Sequence, residues 1–348
     1  MKLRLDRRAA LASTAAFGAV GAFGLARPAR AATSLEMILN WRYQGPQAWF
    51  FLAQDKGYFA DAGLEITMDQ GNGSGAAVGQ VAGGAYDIGF GDINALIRLA
   101  ADKPDEAPIG IFQMYNQPPF TVAVRKDSDI HDAKDLEGRL LGGAANDGAL
   151  KLWPAFTKIA GIDTSGIEIT NFKPNLREQM LRTEQVDGVF GYVNTIRFSA
   201  KLSGMNPEEE IRFIRYGDYG MDLYSNGIIV SKQLAQEHPE AMRAICAGIN
   251  QGVADTLADL DGAIDAVASR EPLIDPAIEK ERLLATIRDE MGHPELAEVG
   301  LGNVDEERFA RAVDIVVDAF DLARTPAPGE VFTPEFLPPA DQRLAGLL

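Results

Sequence analysis

The sequence is poor in the residues that most metal and redox chemistry requires. Its 348 residues include one cysteine, Cys246, and three histidines. That composition excludes an internal disulfide framework and offers no metal-ligand spacing. Positive charge is also scarce, with 33 Lys and Arg against 50 Asp and Glu and a formal net charge of −17. Such a surface repels phosphate backbones, so no nucleic-acid partner is expected. Past residue 31, no apolar run approaches the ~20 residues of a membrane-spanning helix, and the chain is not expected to be membrane-embedded. There is no G-x-S-x-G elbow. His131 lies in an Asp-rich segment, while His238 and His293 each precede a proline. None has an evident nucleophile partner, so no catalytic residue and no cofactor is expected.

What is present begins with an address. Lys2, Arg4, Arg7 and Arg8 precede the Ala/Gly-rich stretch Ala9–Leu25, which closes on Ala29-Arg30-Ala31. This is the order of an export signal over residues 1–31, and it predicts a periplasmic mature chain. Arg7-Arg8 admits the twin-arginine route, but Ala9-Ala10 stand where x-Phe is expected, so ordinary Sec export stays open. The residue directly after the cleavage site is Ala32 rather than a cysteine that could carry a lipid.

From Leu35 onward, strand-like and helix-like patterns alternate, the mark of an α/β architecture with largely parallel sheets. Strands are expected at Leu35–Leu39, Leu64–Met68, Ile88–Phe90, Ile167–Thr170 and Val186–Phe190. Helices are expected over Pro46–Asp55 and near Asp147–Ala160. Beyond Ile228 the pattern is mostly helical, with Met242, Ile245, Cys246, Ile249 and Val253 forming one apolar stripe. One internal correspondence stands out. Asp87–Asn94 and Asp187–Asn194 share D-x-x-F-G-x-x-N at a separation of one hundred residues. Each copy reads as a buried strand passing into a helix. Asp92, Asn94, Tyr192 and Asn194 would then lie beyond the carboxyl ends of strands, where open parallel sheets bind ligands.

Other candidate contacts sit in comparable turns. Gly71-x-Gly73-x-x-Ala76 is a loosened dinucleotide fingerprint, but it follows the second strand and lacks the third glycine. Gly73, Ser74 and Gly75 at a helix start could instead present backbone N–H groups to a polar ligand atom. Trp41, with Tyr43 and Gln44 beside it, stands in the first strand–helix turn, where a ring can stack on a flat ligand. Phe50 and Phe51 read as core. Asn116 falls in a Pro-interrupted turn before Thr121 and is equally explained by turn chemistry. Asp92 and Asp147 precede helices and suit N-caps, whereas Asp222 has no evident helix to cap. All three could meet an amine-bearing ligand. Basic residues near these turns are few, with Arg42 the main exception.

Several of these segments together carry a family resemblance: Leu39-Asn40-Trp41, Ala53–Phe59 with Lys56-Gly57-Tyr58-Phe59 at its end, Ala62-Gly63-Leu64, the Gly71–Gly75 loop and Gly84–Phe90. Residues 35–225 resemble ABC-importer solute-binding proteins related to the sulfonate, nitrate and thiamine-pyrimidine-precursor binders. The resemblance implies a two-lobed periplasmic-binding-protein fold of type II-like architecture, each lobe a mainly parallel sheet flanked by helices. Lobe one would comprise 32–120 plus 228–348, and lobe two 121–227. It also implies a small-molecule ligand, and as partners an ABC permease with its ATPase. Trp41 matches the element by which pyrimidine-precursor binders stack the ring, although Arg42-Tyr43-Gln44-Gly45-Pro46 departs from the usual Pro-Asn continuation. The preferred ligand is a flat nitrogen heterocycle or related aromatic, with sulfonate, taurine or nitrate as the alternative. The fungal enzymes of the family use a histidine and a cysteine cluster that this chain does not match, so the chain is expected not to be an enzyme. An exported enzyme, pyrimidine-forming or nicotinamide-dependent, and a ligand-sensing partner of a membrane receptor are the readings from other classes.

Overall fold

The computed structural model describes residues 32–344 and 346–347, and the expected export signal lies outside the described residues. Among the described residues, ten strands form two five-stranded sheets. They are β1 Thr33–Ile38, β2 Leu64–Asp69, β3 Ile88–Asp92, β4 Ile109–Gln113, β5 Phe120–Arg125, β6 Leu140–Gly143, β7 Glu168–Asn171, β8 Gly188–Tyr192, β9 Ile211–Arg215 and β10 Asn226–Val230. The first sheet runs β2-β1-β3-β10-β4 and the second β7-β6-β8-β5-β9. The fold is α/β.

Each sheet is mixed, with four strands running one way and a fifth against them. In each, one strand runs antiparallel to both neighbours: β10 against β3 and β4, and β5 against β8 and β9. The cause is where the chain changes sheets. It leaves the first sheet after Gln113 and enters the second at Phe120, which pairs with Tyr192 at the carboxyl end of β8. It returns through Asn226, which pairs with Asp92 at the carboxyl end of β3. An entering strand that begins where its neighbours end must run the other way.

The repeated motif performs the same work in both sheets. The Asp87 carboxylate accepts from the Glu36 amide at 2.8 Å, pinning β3 to β1. The Asp187 carboxylate accepts from the Leu140 amide at 2.9 Å, pinning β8 to β6. Phe90 and Phe190 are fully buried, and Asp92 and Tyr192 each lead into a helix, Ile93–Asp102 and Val193–Leu202.

Core packing follows the apolar spacing. The helix Ala48–Asp55 buries Trp49, Phe50 and Phe51 and packs against the helix Pro239–Ala258. Gly252 permits that approach, since a Cβ there would stand 2.3 Å from the Trp49 carbonyl oxygen. Met242, Ile245, Cys246, Ile249 and Val253 are all buried, and the Cys246 thiol reaches the Ile111 carbonyl at 3.5 Å.

Candidate functional site

The loop after β1, with Asn40 and Trp41, and the carboxyl end of β8 meet across a narrow crevice, and Tyr192 lines it. Its hydroxyl lies 2.9 Å from Ser74 Oγ and 3.0 Å from Ser225 Oγ, and it donates to Asn226 Oδ1 at 2.8 Å. All three partners hang from the first sheet, whereas Tyr192 ends a strand of the second. Burial holds its phenol far above the ordinary tyrosine range, so it stays a donor.

The loop carrying Trp41 is fixed from below. Gly71 N–H donates to the Trp41 carbonyl at 3.0 Å and Gly73 N–H to the Asn40 carbonyl at 3.1 Å. The Gly73 amide is therefore committed to the chain itself and is not a ligand donor, contrary to the expectation from the glycine-rich run. Gly73 has φ +149°, and a Cβ on it would stand 2.1 Å from the Asn146 carbonyl oxygen in the second sheet's β6–helix turn. Gly75 packs near the Lys151 stem and Ser74 begins the helix Ser74–Ala82.

Two chambers share this crevice. The inner one, about 20 Å³, is lined by residues including Asn40, Trp41, Ser74, Asp147, Tyr192 and Thr195. That is room for about one water. The outer one, about 420 Å³, adds Arg42, Tyr43, Gln44, Arg182, Leu202, Leu273 and the carboxylates Glu178, Glu271, Asp275 and Glu279. Trp41 and Arg177 line both, so they form the throat. The Arg177 guanidinium lies 5.7 Å from the Trp41 ring centroid and is paired with Glu178 at 2.7 and 2.9 Å, although Arg177 is only 3% exposed.

The acids are set by burial. Asp147 caps the helix Gly148–Ala160, accepting from the Ala149 and Leu150 amides at 2.9 and 3.4 Å. Desolvation raises its pKa against the opposing pull of Arg177 and those amides. Asp92 caps its own helix through Asn94 N–H at 3.1 Å, and burial pushes its carboxyl up to about 7. Its second oxygen has no partner.

Trp41, Tyr43, Gln44, Ser74, Asp147 and Tyr192 thus come together at the crevice. Asp92 and Asn94 do not line it: Asn94 donates to Asp92 and to the Tyr224 carbonyl, both at 2.7 Å. Asn194 is also internal, accepting from Arg197 at 2.9 Å and donating to Asp289 at 3.3 Å. Asn116 and Asp222 stand elsewhere, on the two passages between the sheets. Arg308 joins them, donating to the Asn116 carbonyl at 2.7 Å and to Asp222 at 2.8 Å, while the Asn116 amide and Tyr224 hydroxyl bond Glu295 at 2.5 and 2.8 Å. The opposite charge of Arg308 draws Asp222 into this staple, not into the crevice. Sequence reasoning missed Asn40, Arg177, Arg182 and Thr195. Arg177 follows β7 through Pro174, a turn signal that could have flagged it.

Among the described residues, no group of three or more His, Cys, Asp or Glu is placed to hold a metal, and no helix is long and apolar enough to cross a membrane. The "NMT1/THI5 like" family model matches residues 46–263. The chain belongs to this family. Among curated relatives, it is 21% identical over 256 residues to the 4-amino-5-hydroxymethyl-2-methylpyrimidine phosphate synthase of Aspergillus parasiticus, covering 71% of this chain and 73% of that one. It is 22% identical over 297 residues to the riboflavin-binding protein RibY of Chloroflexus aurantiacus, covering 83% and 82%. Among solved structures, the alkanesulfonate-binding protein SsuA of Xanthomonas axonopodis pv. citri superposes with a TM-score of 0.65 at 15% identity, over 87% of this chain and 99% of that one. The NMT1/THI5-like chain therefore has the periplasmic-binding-protein fold. One expectation is overturned: that the chain is no enzyme. Relatives from Aspergillus parasiticus, Schizosaccharomyces pombe and Uromyces fabae carry the name of a synthase, so the family includes enzymes.

Proposed function

We propose that this chain is the exported solute-capturing component of an ABC importer. Two lobes, 32–120 plus 228–348 and 121–227, close on a flat nitrogen-containing heterocycle and present it to a membrane permease driven by its ATPase. The observation that carries the reading is the throat, where the Trp41 ring stands beside the buried Arg177 guanidinium between the ends of two sheets. Trp41 supplies a stacking face. Asp147, Ser74 and Asn40 supply polar atoms at the ring's edge. An inner space of about 20 Å³ is too small for a ring, so capture requires the lobes to part and close again. Only a ligand that binds the closed form better can drive that balance.

A sulfonate is the rival ligand. Arg177 would attract it, but Glu178 already neutralises that arginine and Asp147 shares the inner wall. The test is a thermal-shift and calorimetric series on the mature protein with pyrimidine precursors, flavins, sulfonates and nitrate, with mass spectrometry of the recovered compound. Binding of a heterocycle that is recovered unchanged supports the proposal. Preference for sulfonates, or consumption of the compound, overturns it.

A further inference from the structure

Among the described residues, five large apolar side chains are notably exposed, and two of them line one opening. Leu273 is 92% exposed and Leu202 46%, and both line the outer chamber. Leu273 belongs to the segment joining the helices Leu260–Ala268 and Pro276–Thr286, and Leu202 ends the helix Val193–Leu202. The Leu273 segment is pinned at both ends. Arg270 grips Asp55 at 2.6 Å and Gln54 at 2.8 Å, and Asp275 accepts from the Ala277 and Ile278 amides at 3.0 and 3.1 Å.

The chamber beneath it is too large for a ring alone. At about 420 Å³ it falls in the range of roughly 300–1,000 Å³ that takes a drug-sized ligand. Its wall carries three arginines, Arg42, Arg177 and Arg182, and four carboxylates, and the charges cancel once Arg282, buried behind the wall and 3.0 Å from Glu279, is counted. A net-neutral, polar-walled chamber gives an anion no advantage and offers many hydrogen-bond partners to hydroxyl groups.

We propose that the outer chamber is a second subsite, taking an uncharged, hydroxyl-bearing chain attached to the flat ring on Trp41, with Leu273 as its cover. This rests on the reading of Trp41 as the ring's platform. It adds a ligand class: a heterocycle with a neutral polar tail, rather than a bare ring or a phosphorylated one.

Calorimetry on the mature protein with paired probes tests it: riboflavin against lumiflavin, cytidine against cytosine, and the matching phosphate esters. In the pair whose ring binds, the tailed member is expected to bind at least tenfold tighter than the bare ring, and the phosphate ester more weakly than its parent. Leu273→Ser is expected to cut the advantage of the tail to about threefold or less, with circular dichroism confirming that the variant is folded. If bare rings bind and the tail adds nothing, or if Leu273→Ser preserves the advantage, the second subsite is overturned while the Trp41 reading stands. If none of these rings binds, the Trp41 reading fails and this inference fails with it.

Discussion

The Tyr192 hydroxyl, at the end of a strand in the second sheet, lies 2.9 Å from the Ser74 hydroxyl, at the start of a helix flanking the first. Because Ser225 and Asn226 share the same phenol, one atom ties three points of the opposing sheet. Tyr192→Phe removes that donor and leaves Asn226 Oδ1 with one fewer partner. The expected cost is about 1–3 kcal/mol, the range for a buried polar group losing its hydrogen bond. Urea denaturation reads it, and an unchanged midpoint would show that the contact contributes nothing.

Trp41→Ala is expected to weaken binding of an aromatic ligand by about 1–3 kcal/mol, by analogy with base–aromatic stacking. Trp41 is partly exposed while Trp49 and Trp153 are buried, so ligand-induced quenching of tryptophan emission should vanish in the variant. Full retention of both affinity and quenching would remove Trp41 from the site.

Gly73→Ala tests closure rather than folding. The added Cβ would stand 2.1 Å from a backbone oxygen of the other sheet's turn, and φ +149° is strained for any L side chain. The expected outcome is a lower ligand affinity, by tenfold or more, with a larger radius of gyration in X-ray scattering. A scattering profile identical to the parent's, with ligand present, would contradict it.

Asp92 predicts a pH dependence. Burial raises its folded-state pKa to about 7, against an unfolded value of about 3.9. Between those values the folded state holds the extra proton, so the stability contributed by this group falls as pH rises from about 4 to about 7. At about 1.4 kcal/mol per unit, the loss is on the order of 3–4 kcal/mol across the window. Asp92→Asn keeps the N-cap and removes the titration. Its melting temperature relative to the parent should therefore climb from pH 4 to pH 7, and a flat difference would refute the assignment.

The elements built from local pattern were legible. The D-x-x-F-G-x-x-N repeat marks β3 and β8 because its Asp pins the neighbouring strand and its Phe is buried within the strand itself. Trp41, Ser74, Asp147 and Tyr192 were found for the same reason, each closing a strand–helix turn. Arg282 was not legible. It is fully buried in the helix Pro276–Thr286 and donates to the Thr195 carbonyl at 3.1 Å, a contact spanning 87 residues. Asp222 was misread because its partner, Arg308, lies 86 residues away. Nothing local distinguishes a carboxylate that faces a ligand from one that faces a distant arginine.

The order of strands also sets an order of assembly. The second sheet is cut from one unbroken run, Phe120–Arg215, so an emerging or refolding chain can finish it alone. The first sheet lacks its penultimate strand until residues 226–230 arrive, and β3 and β4 stand meanwhile as two bare edges. Self-association of a truncated or stalled chain should therefore begin there, at the gap that β10 fills last.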